Sequence, residues 1–137
     1  MANDNNSCSC SCAPKLIFPC SGSSDTGEIA DRAARRLTKE GAGKMFCLAG
    51  IGGRVSGIMA STEAASRILV IDGCPMNCAS KTLEQAGFKE FEHLRIADLG
   101  LEKGKSPVSD ERIDEVAAKG RAFLQDGLTE ECHSSND

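Results

Sequence analysis

The sequence predicts one α/β domain with three layers, in which a mostly parallel sheet of about four strands lies between two layers of helices. Short apolar runs alternate along the chain with segments of helical periodicity, an order that builds a parallel sheet joined by right-handed crossovers. The length of 137 residues fits one such domain and is too short for two. The apolar fraction of 40% is sufficient for a core of this size.

The first predicted strand and helix lie near the start of the domain. Residues 16–20 form an apolar run without alternation, which suits a strand buried on both faces. A helix is expected between Ser24 and Glu40, with acidic residues in its first turn, basic residues in its last turn and Gly41 after it. The apolar residues that recur there at helical spacing are Ile29, Ala33 and Leu37.

The middle of the chain predicts two further strands, each followed by a helix. Residues 45–49 are apolar and precede several glycines, which indicates a second strand, and a short helix is expected within residues 55–66. The strongest strand signal is residues 68–71. A helix over residues 76–86 follows this third strand, with Pro75 expected in its first turn.

The last strand and helix complete the alternation. Residues 88–97 are predicted to form a fourth strand, because apolar residues occupy alternate positions that include Leu94 and Ile96. Ser109 is predicted to cap the final helix. The residues that share one face of that helix are Ile113, Val116, Ala117, Gly120 and Leu124. We therefore expect a Rossmann-like or flavodoxin-like arrangement.

The domain is expected to occupy residues 15–126. Residues 1–14 are rich in Cys, Ser and Asn and lack apolar periodicity, so we predict a flexible tail that buries too little surface to offset its ordering entropy. Residues 127–137 are predicted to form a polar tail.

Charge and composition exclude several classes of partner. Sixteen Lys and Arg against twenty Asp and Glu give a net charge of −4, and the chain has no Trp or Tyr. It therefore lacks the basic surface and the stacking side chains of a nucleic-acid binder. No apolar stretch is long enough for a membrane span or the core of a signal peptide, so we expect a cytoplasmic protein. Nothing in the sequence identifies a protein partner.

Eight cysteines are the unusual feature of the composition. Cys20, Cys47 and Cys74 each lie close to the carboxyl end of a predicted strand, and those ends share one edge of a parallel sheet. Cys78 follows at the start of the helix after the third strand, where its sulfur points back toward the same edge. In a chain with no export signal, reduced thiols at one place indicate a metal, a cluster or redox chemistry.

The spacing leaves the chemistry of these thiols open. Four thiolates suit tetrahedral Zn²⁺ and equally a four-iron cluster, and backbone N–H groups at helix starts favour ionised sulfur. Cys47 alone is also explained as a small buried residue of an apolar run. The remaining cysteines fit either a solvated role or loose metal binding and hand-over: Cys8, Cys10, Cys12 and, beside His133, Cys132.

Two enzyme motifs are incomplete. None of the four clustered cysteines has Arg six residues later, as a cysteine phosphatase requires, and Glu28 occupies the place of the lysine in a phosphate-binding loop. Asp72 orients a ligand, raises the pKa of the Cys74 thiol by like-charge repulsion, or caps the helix expected to begin at Pro75, and the sequence leaves these roles open. His93 is expected as a half-buried strand residue and not as the partner of a nucleophilic thiol.

Three segments resemble the DGC domain family, described as zinc-binding proteins without an assigned task. They are residues 16–22 (LIFPCSG), 47–51 (CLAGI) and 71–79 (IDGCPMNCA), and the Asp-Gly-Cys motif of the family is present at residues 72–74. The resemblance covers about residues 15–126. It implies four chelating cysteines, which fall here on Cys20, Cys47, Cys74 and Cys78.

Two functional hypotheses follow. The first is a protein that holds one Zn²⁺ ion through these four thiolates at the carboxyl ends of the strands, without catalysis of its own and with a role in metal handling. The second is a cysteine-dependent redox or sulfur-transfer enzyme, in which Cys74 or Cys78 attacks and another cysteine resolves. An iron–sulfur cluster is the alternative cofactor within the first hypothesis.

Overall fold

A computed structural model describes residues 13–125, in which strands and helices alternate. In chain order the elements are β1 (Lys15–Pro19), α1 (Asp25–Glu40), β2 (Lys44–Met45), α2 (Leu48–Gly52), α3 (Ser56–Glu63), β3 (Arg67–Asp72), α4 (Cys78–Gln85), β4 (Glu92–Arg95), a 3-10 helix (Ile96–Leu99) and α5 (Asp110–Gln125). The tails expected at residues 1–14 and 127–137, with Cys8, Cys10, Cys12 and Cys132, lie outside the described residues, apart from Ala13 and Pro14.

The four strands form one parallel sheet in the order β2-β1-β3-β4. One face is covered by α1 and α5, whose apolar residues pack on Ile17, Leu69 and Ile71. The opposite face carries α2, α3 and α4, which pack around Phe18 and Val70. The predicted three-layer α/β/α fold is therefore confirmed.

Local sequence signals account for the best-predicted helices. The Ser24 hydroxyl accepts a hydrogen bond from the Gly27 N–H at the start of α1, and Gly41 ends that helix with φ 84°. The Ser109 hydroxyl accepts from the Arg112 N–H at the start of α5, as expected of a cap.

Three predicted boundaries are wrong. The fourth strand is Glu92–Arg95 and not residues 88–97, and Ile96–Leu99 form a 3-10 helix. Only Lys44 and Met45 pair as a strand, and residues 48–52, assigned in part to that strand, are helical because the Cys47 sulfur caps a short turn there. Pro75 lies outside the helix, which begins at Cys78 after Asn77 takes a left-handed conformation with φ 57°. A local turn thus ends the second strand earlier than apolar patterning indicates, and another turn after β3 delays the start of α4.

The strand order changes direction between β1 and β3. From β1 the chain moves outward to β2, and it then crosses back to place β3 on the other side of β1. In open α/β sheets the crevice beyond the carboxyl ends of such a strand pair is the usual binding position. None of the helices in the described part of the chain is long and apolar enough to cross a bilayer.

Candidate metal centre

Cys20 lies at the point where the strand order reverses. It follows β1 directly, and its N–H donates to the Ile71 carbonyl of β3 at 2.9 Å, so its backbone is tied to both central strands. Its sulfur accepts a hydrogen bond from the Gly73 N–H at 3.3 Å. Ser21 then takes a left-handed conformation with φ 51°, which turns the chain toward α1.

The Asp-Gly-Cys segment fits closely against the start of α1. A Cβ atom on Gly73 would lie 2.8 Å from the carbonyl carbon and oxygen of Thr26, which are backbone atoms. On the other side of this contact, a Cβ atom on Gly27 would lie 2.7 Å from the Gly22 carbonyl oxygen. Glycine at positions 27 and 73 therefore allows the first turn of α1 to approach the loop that carries Cys74.

Asp72 holds the start of α4 in place. Its side chain is 1% exposed and accepts hydrogen bonds from the N–H groups of Ala79 at 2.8 Å and Ser80 at 3.1 Å. Nε2 of His93, on β4, donates to the same carboxylate at 2.8 Å. Asp72 therefore caps α4, which is one of its expected roles, and His93 is half-buried as predicted.

Three of the four candidate ligands share one cavity. Cys20, Cys74 and Cys78 line a space of about 250 Å³ between the start of α1 and the Asp-Gly-Cys loop, with Lys103 at its rim. Cys20 and Cys74 are half-buried, whereas the first residue of α4, Cys78, is exposed. All three thiols are free.

Cys47 lines a neighbouring cavity. Its segment is held to β1 by the Phe46 N–H, which donates to the Ile17 carbonyl, and by an edge-to-face contact of the Phe46 and Phe18 rings. The exposed Cys47 sulfur accepts from the Gly50 N–H at 3.2 Å. This second cavity has a volume of about 580 Å³ and is also lined by Cys20, which therefore connects the two spaces.

The electrostatic environment of Cys20 opposes ionisation. Burial raises the pKa of the Cys20 thiol above its usual range, and the charges of Asp72 and Cys74 raise it further. The N–H groups of Gly22 and Gly73 act in the opposite direction but do not outweigh the burial. A cation in the cavity would reverse this balance by favouring the thiolate.

The donor atoms suit a soft metal ion, although the side chains are not grouped around one point. Free thiols from three separate segments face adjoining cavities at one sheet edge. Within residues 13–125, however, no three His, Cys, Asp or Glu side chains are grouped so that they could hold a metal ion. Ligation by these residues requires their side chains to turn toward a common centre.

Sequence reasoning did not identify the residues that shape this site. Gly27 and Gly73 set the close approach of α1, and Lys103 reaches the cavity rim from the loop before α5. A sequence signal was available for Gly27. A glycine within a helical pattern lowers helix propensity, so its presence indicates that a side chain would not fit there. No sequence signal marked Lys103, whose position depends on a distant loop.

The family model of the DGC domain matches residues 16–119. The chain is also similar to the anaerobic and virulence modulator AnvM of Pseudomonas aeruginosa, with 33% identity over 88 residues that cover 64% of this chain and 67% of AnvM. No solved structure matches. Since the family model spans more than half of the chain, including all four edge cysteines, the chain belongs to the DGC domain family.

Proposed function

We propose that this domain binds one Zn²⁺ ion through the thiolates of Cys20, Cys47, Cys74 and Cys78 and that it has no catalytic activity of its own. The observation that carries the proposal is the position of Cys20, which lies where the strand order reverses and lines both the cavity of Cys74 and Cys78 and the cavity of Cys47. One ion beside Cys20 would adjoin both cavities.

Each ligand would contribute differently. Cys20 is the fixed ligand, because its backbone is bound to β3 and its sulfur already accepts an N–H bond. Cys78 and Cys47 are exposed; Cys78 lines the same cavity as Cys20, whereas Cys47 caps α2 and lines the neighbouring cavity. Cys74 lies in the loop between β3 and Cys78, where Gly73 allows a close approach to the Thr26 backbone.

Zn²⁺ would keep the thiols ionised and join three segments of the chain. The Gly50 and Gly73 N–H groups, which already donate to sulfur, would stabilise the thiolate charge. The proposal requires a compartment that keeps thiols reduced, such as the cytoplasm. The name of AnvM describes a modulator, which is compatible with a role in metal handling or regulation.

Metal analysis of a chain with only the four edge cysteines tests this proposal. In the variant Cys8→Ser, Cys10→Ser, Cys12→Ser, Cys132→Ser, purified with reductant, we expect about one zinc per chain. Adding Cys74→Ser and Cys78→Ser should abolish binding. Ser23→Ala, which changes the rim of the same cavity without removing a thiol, is the control and should retain the metal. Absence of zinc from the four-cysteine chain would end the proposal.

A thiol enzyme is the second candidate. Cys20, Cys74 and Cys78 line one cavity, Cys47 caps the start of α2, and Cys78 is the first residue of α4. The raised pKa of Cys20 leaves little thiolate for attack at neutral pH, so Cys74 or Cys78 would be the nucleophile. If each thiol of the metal-free protein is alkylated no faster than free cysteine, this candidate loses its support.

An iron–sulfur cluster is the alternative cofactor at the same four cysteines. A bound cluster would give colour to protein purified without oxygen, whereas bound Zn²⁺ would leave it colourless.

A further inference from the structure

The cavity that holds three of the edge thiols has one cation in its wall. Among the residues that line the cavity of Cys20, Cys74 and Cys78, the cation is Lys103 and the one carboxylate is Asp72. The Asp72 oxygens already accept three hydrogen bonds. Each thiol that ionises in this cavity adds a further negative charge, which a nearby cation stabilises.

The loop that carries Lys103 is fixed on both sides of it. Leu101 is buried in the core that α1 and α5 form on one face of the sheet, and Ser106 is 3% exposed. The Ser106 hydroxyl accepts a hydrogen bond from the Glu102 N–H at 2.7 Å, which closes the loop on itself. Gly104 takes a left-handed conformation with φ 85°, so the chain turns directly after Lys103.

Asp25 binds this loop to the start of α1. Its carboxylate accepts hydrogen bonds from the N–H groups of Gly104 at 2.9 Å and Ser106 at 3.0 Å. These two bonds lower the pKa of the Asp25 carboxyl below its usual range, so it is an ionised acceptor at neutral pH. Ser24, the residue before Asp25, lines the thiol cavity. The backbone beside Lys103 is therefore anchored next to the cavity wall.

The Lys103 ammonium group is not engaged elsewhere in the part of the chain that the structure describes. Within residues 13–125 it has no ion-pair partner, whereas Lys105 of the same loop lies 3.9 Å from the Glu102 carboxylate. The position of the loop thus gives the thiol cavity a cation whose charge is not already compensated.

We propose that Lys103 supplies the positive charge that offsets the thiolates of Cys20, Cys74 and Cys78, both when they are free and, as an extension of the proposed function, when they hold Zn²⁺. Four thiolates around one Zn²⁺ ion leave a net charge of about −2, so a cation beside them stabilises the complex. Lys103 is a positioning residue and not a ligand, because a protonated amine has no lone pair to donate to a metal.

Two alkylating reagents measure the charge at Cys74 without any metal. Iodoacetate is an anion and iodoacetamide is neutral, so the ratio of their rates at one thiol reports the local positive charge. Both reagents attack through the same thiolate, so the ionised fraction of the thiol cancels in the ratio. Cys74 is the better reporter because Cys78 also lines an adjoining cavity with a second cation, Lys81.

The ratio of rates should fall about threefold in Lys103→Gln, in the full-length, reduced, metal-free chain at about 0.1 M ionic strength. Tandem mass spectrometry assigns the rate to Cys74. Lys103→Arg keeps the charge and should keep the ratio. The matched control Lys105→Gln removes a cation from the same loop and should leave the ratio close to that of the unchanged chain.

Salt separates an effect of charge from an effect of loop structure. At about 1 M ionic strength the screening length is about 3 Å, so the difference between Lys103→Gln and the unchanged chain should disappear. The inference is overturned if Lys103→Gln leaves the ratio unchanged at the lower ionic strength, or if Lys105→Gln lowers it equally.

Zinc affinity distinguishes failure of this inference from failure of the proposed function. In the chain whose only cysteines are the four at the carboxyl edge, Lys103→Gln should weaken zinc binding roughly tenfold in competition with a chelator, and Lys103→Arg should restore it. Equal zinc affinity with and without Lys103 would overturn its role toward the bound ion. A chain that binds no zinc but shows the fall in the alkylation ratio would contradict the proposed function and support the role of Lys103 toward free thiolates.

Discussion

Among single residues, Cys20 has the greatest effect on what the carboxyl edge can do. Its sulfur is half-buried, accepts an N–H bond and lines both cavities. The physical factors that hold it in place also keep it neutral, since burial disfavours the thiolate more than the neighbouring N–H groups favour it. Cys20 is therefore better suited to bind a cation, which would favour its thiolate, than to act as a free nucleophile.

We expect Cys20 to be alkylated more slowly than free cysteine in metal-free protein near pH 7.5. Burial raises its pKa, so the reactive thiolate fraction is smaller. The rate should keep rising at pH values above about 8.5, where free cysteine has already ionised by half. Mass spectrometry of Cys20 and exposed Cys78 across a pH series measures both rates. A Cys20 rate equal to that of free cysteine at neutral pH would contradict the raised pKa.

The same pKa direction sets its effect on stability. The contribution of neutral Cys20 is fully present below the pKa of the unfolded thiol, about 8.5, and is lost as the pH rises through the higher pKa of the folded state. Cys20→Ser should therefore reduce the loss of stability on the alkaline side, as measured by urea unfolding at several pH values.

Gly73 is the other residue whose replacement has a clear expected result. Gly73→Ala would place a Cβ atom against backbone atoms of Thr26, which have no rotamer with which to move aside. We expect a loss of about 1–3 kcal/mol in the free energy of unfolding, as for other overpacked sites. Gly57→Ala is the control because its Cβ would meet nothing within 4 Å and alanine favours the helix. Equal stability of the two variants would show that the contact is not tight.

At the scale of elements, the starts of α1 and α4 determine the shape of the site. The start of α1 is capped by Ser24 within its own sequence, whereas α4 is capped by Asp72, six residues before its first residue. Asn77 makes no side-chain cap for α4. The position of Cys78 therefore depends on a carboxylate that β3 supplies and β4 supports through His93.

Asp72→Ala should lower the free energy of unfolding by about 2–4 kcal/mol. It leaves two buried N–H groups at the start of α4 and the His93 ring without their acceptor. Urea unfolding measures the loss, and Glu84→Ala, an exposed change on the same helix, should alter stability by less than about 0.5 kcal/mol. A loss for Asp72→Ala as small as that of the control would show that water replaces the cap.

For the whole molecule, the parallel order of the strands brings four cysteines to one edge of the sheet. Cys20, Cys47 and Cys74 follow strands, and Cys78 is the first residue of α4 at the same edge. This edge is continuous with the core that α1 and α5 cover on one face. Metal bound at the carboxyl edge is therefore expected to stabilise the entire domain.

Zinc should raise global stability in the chain whose only cysteines are the four at the carboxyl edge. At a free Zn²⁺ concentration one hundred times the dissociation constant, the free energy of unfolding should increase by about 2.7 kcal/mol. The slope of the free energy of unfolding against urea concentration should not change, because unfolding exposes the same surface with and without zinc. Adding Cys74→Ser and Cys78→Ser should remove the increase, and an undiminished increase there would place the ion elsewhere.

Much of the fold could be predicted because its signals are local. The buried runs of β1 and β3, the caps of α1 at Ser24 and Gly41, and the alternation of strands with helices all follow from residues close together in the chain. The parallel order then placed the four cysteines near one edge from sequence alone. The short helix at residues 48–52 was missed because its cap is a cysteine sulfur inside an apolar run.

Sequence by itself determined the three-layer class, the family and which thiols belong to the carboxyl edge, because strand-end spacing and helix periodicity are properties of neighbouring residues. Only the tertiary structure decided that Cys20 lies between two cavities, that Gly73 is required by the approach of α1 and that Asp72 caps α4. Those facts depend on the order of strands in the sheet and on contacts between distant segments. Such contacts form only when the core packs, so they cannot be predicted from residues that are close together in the sequence.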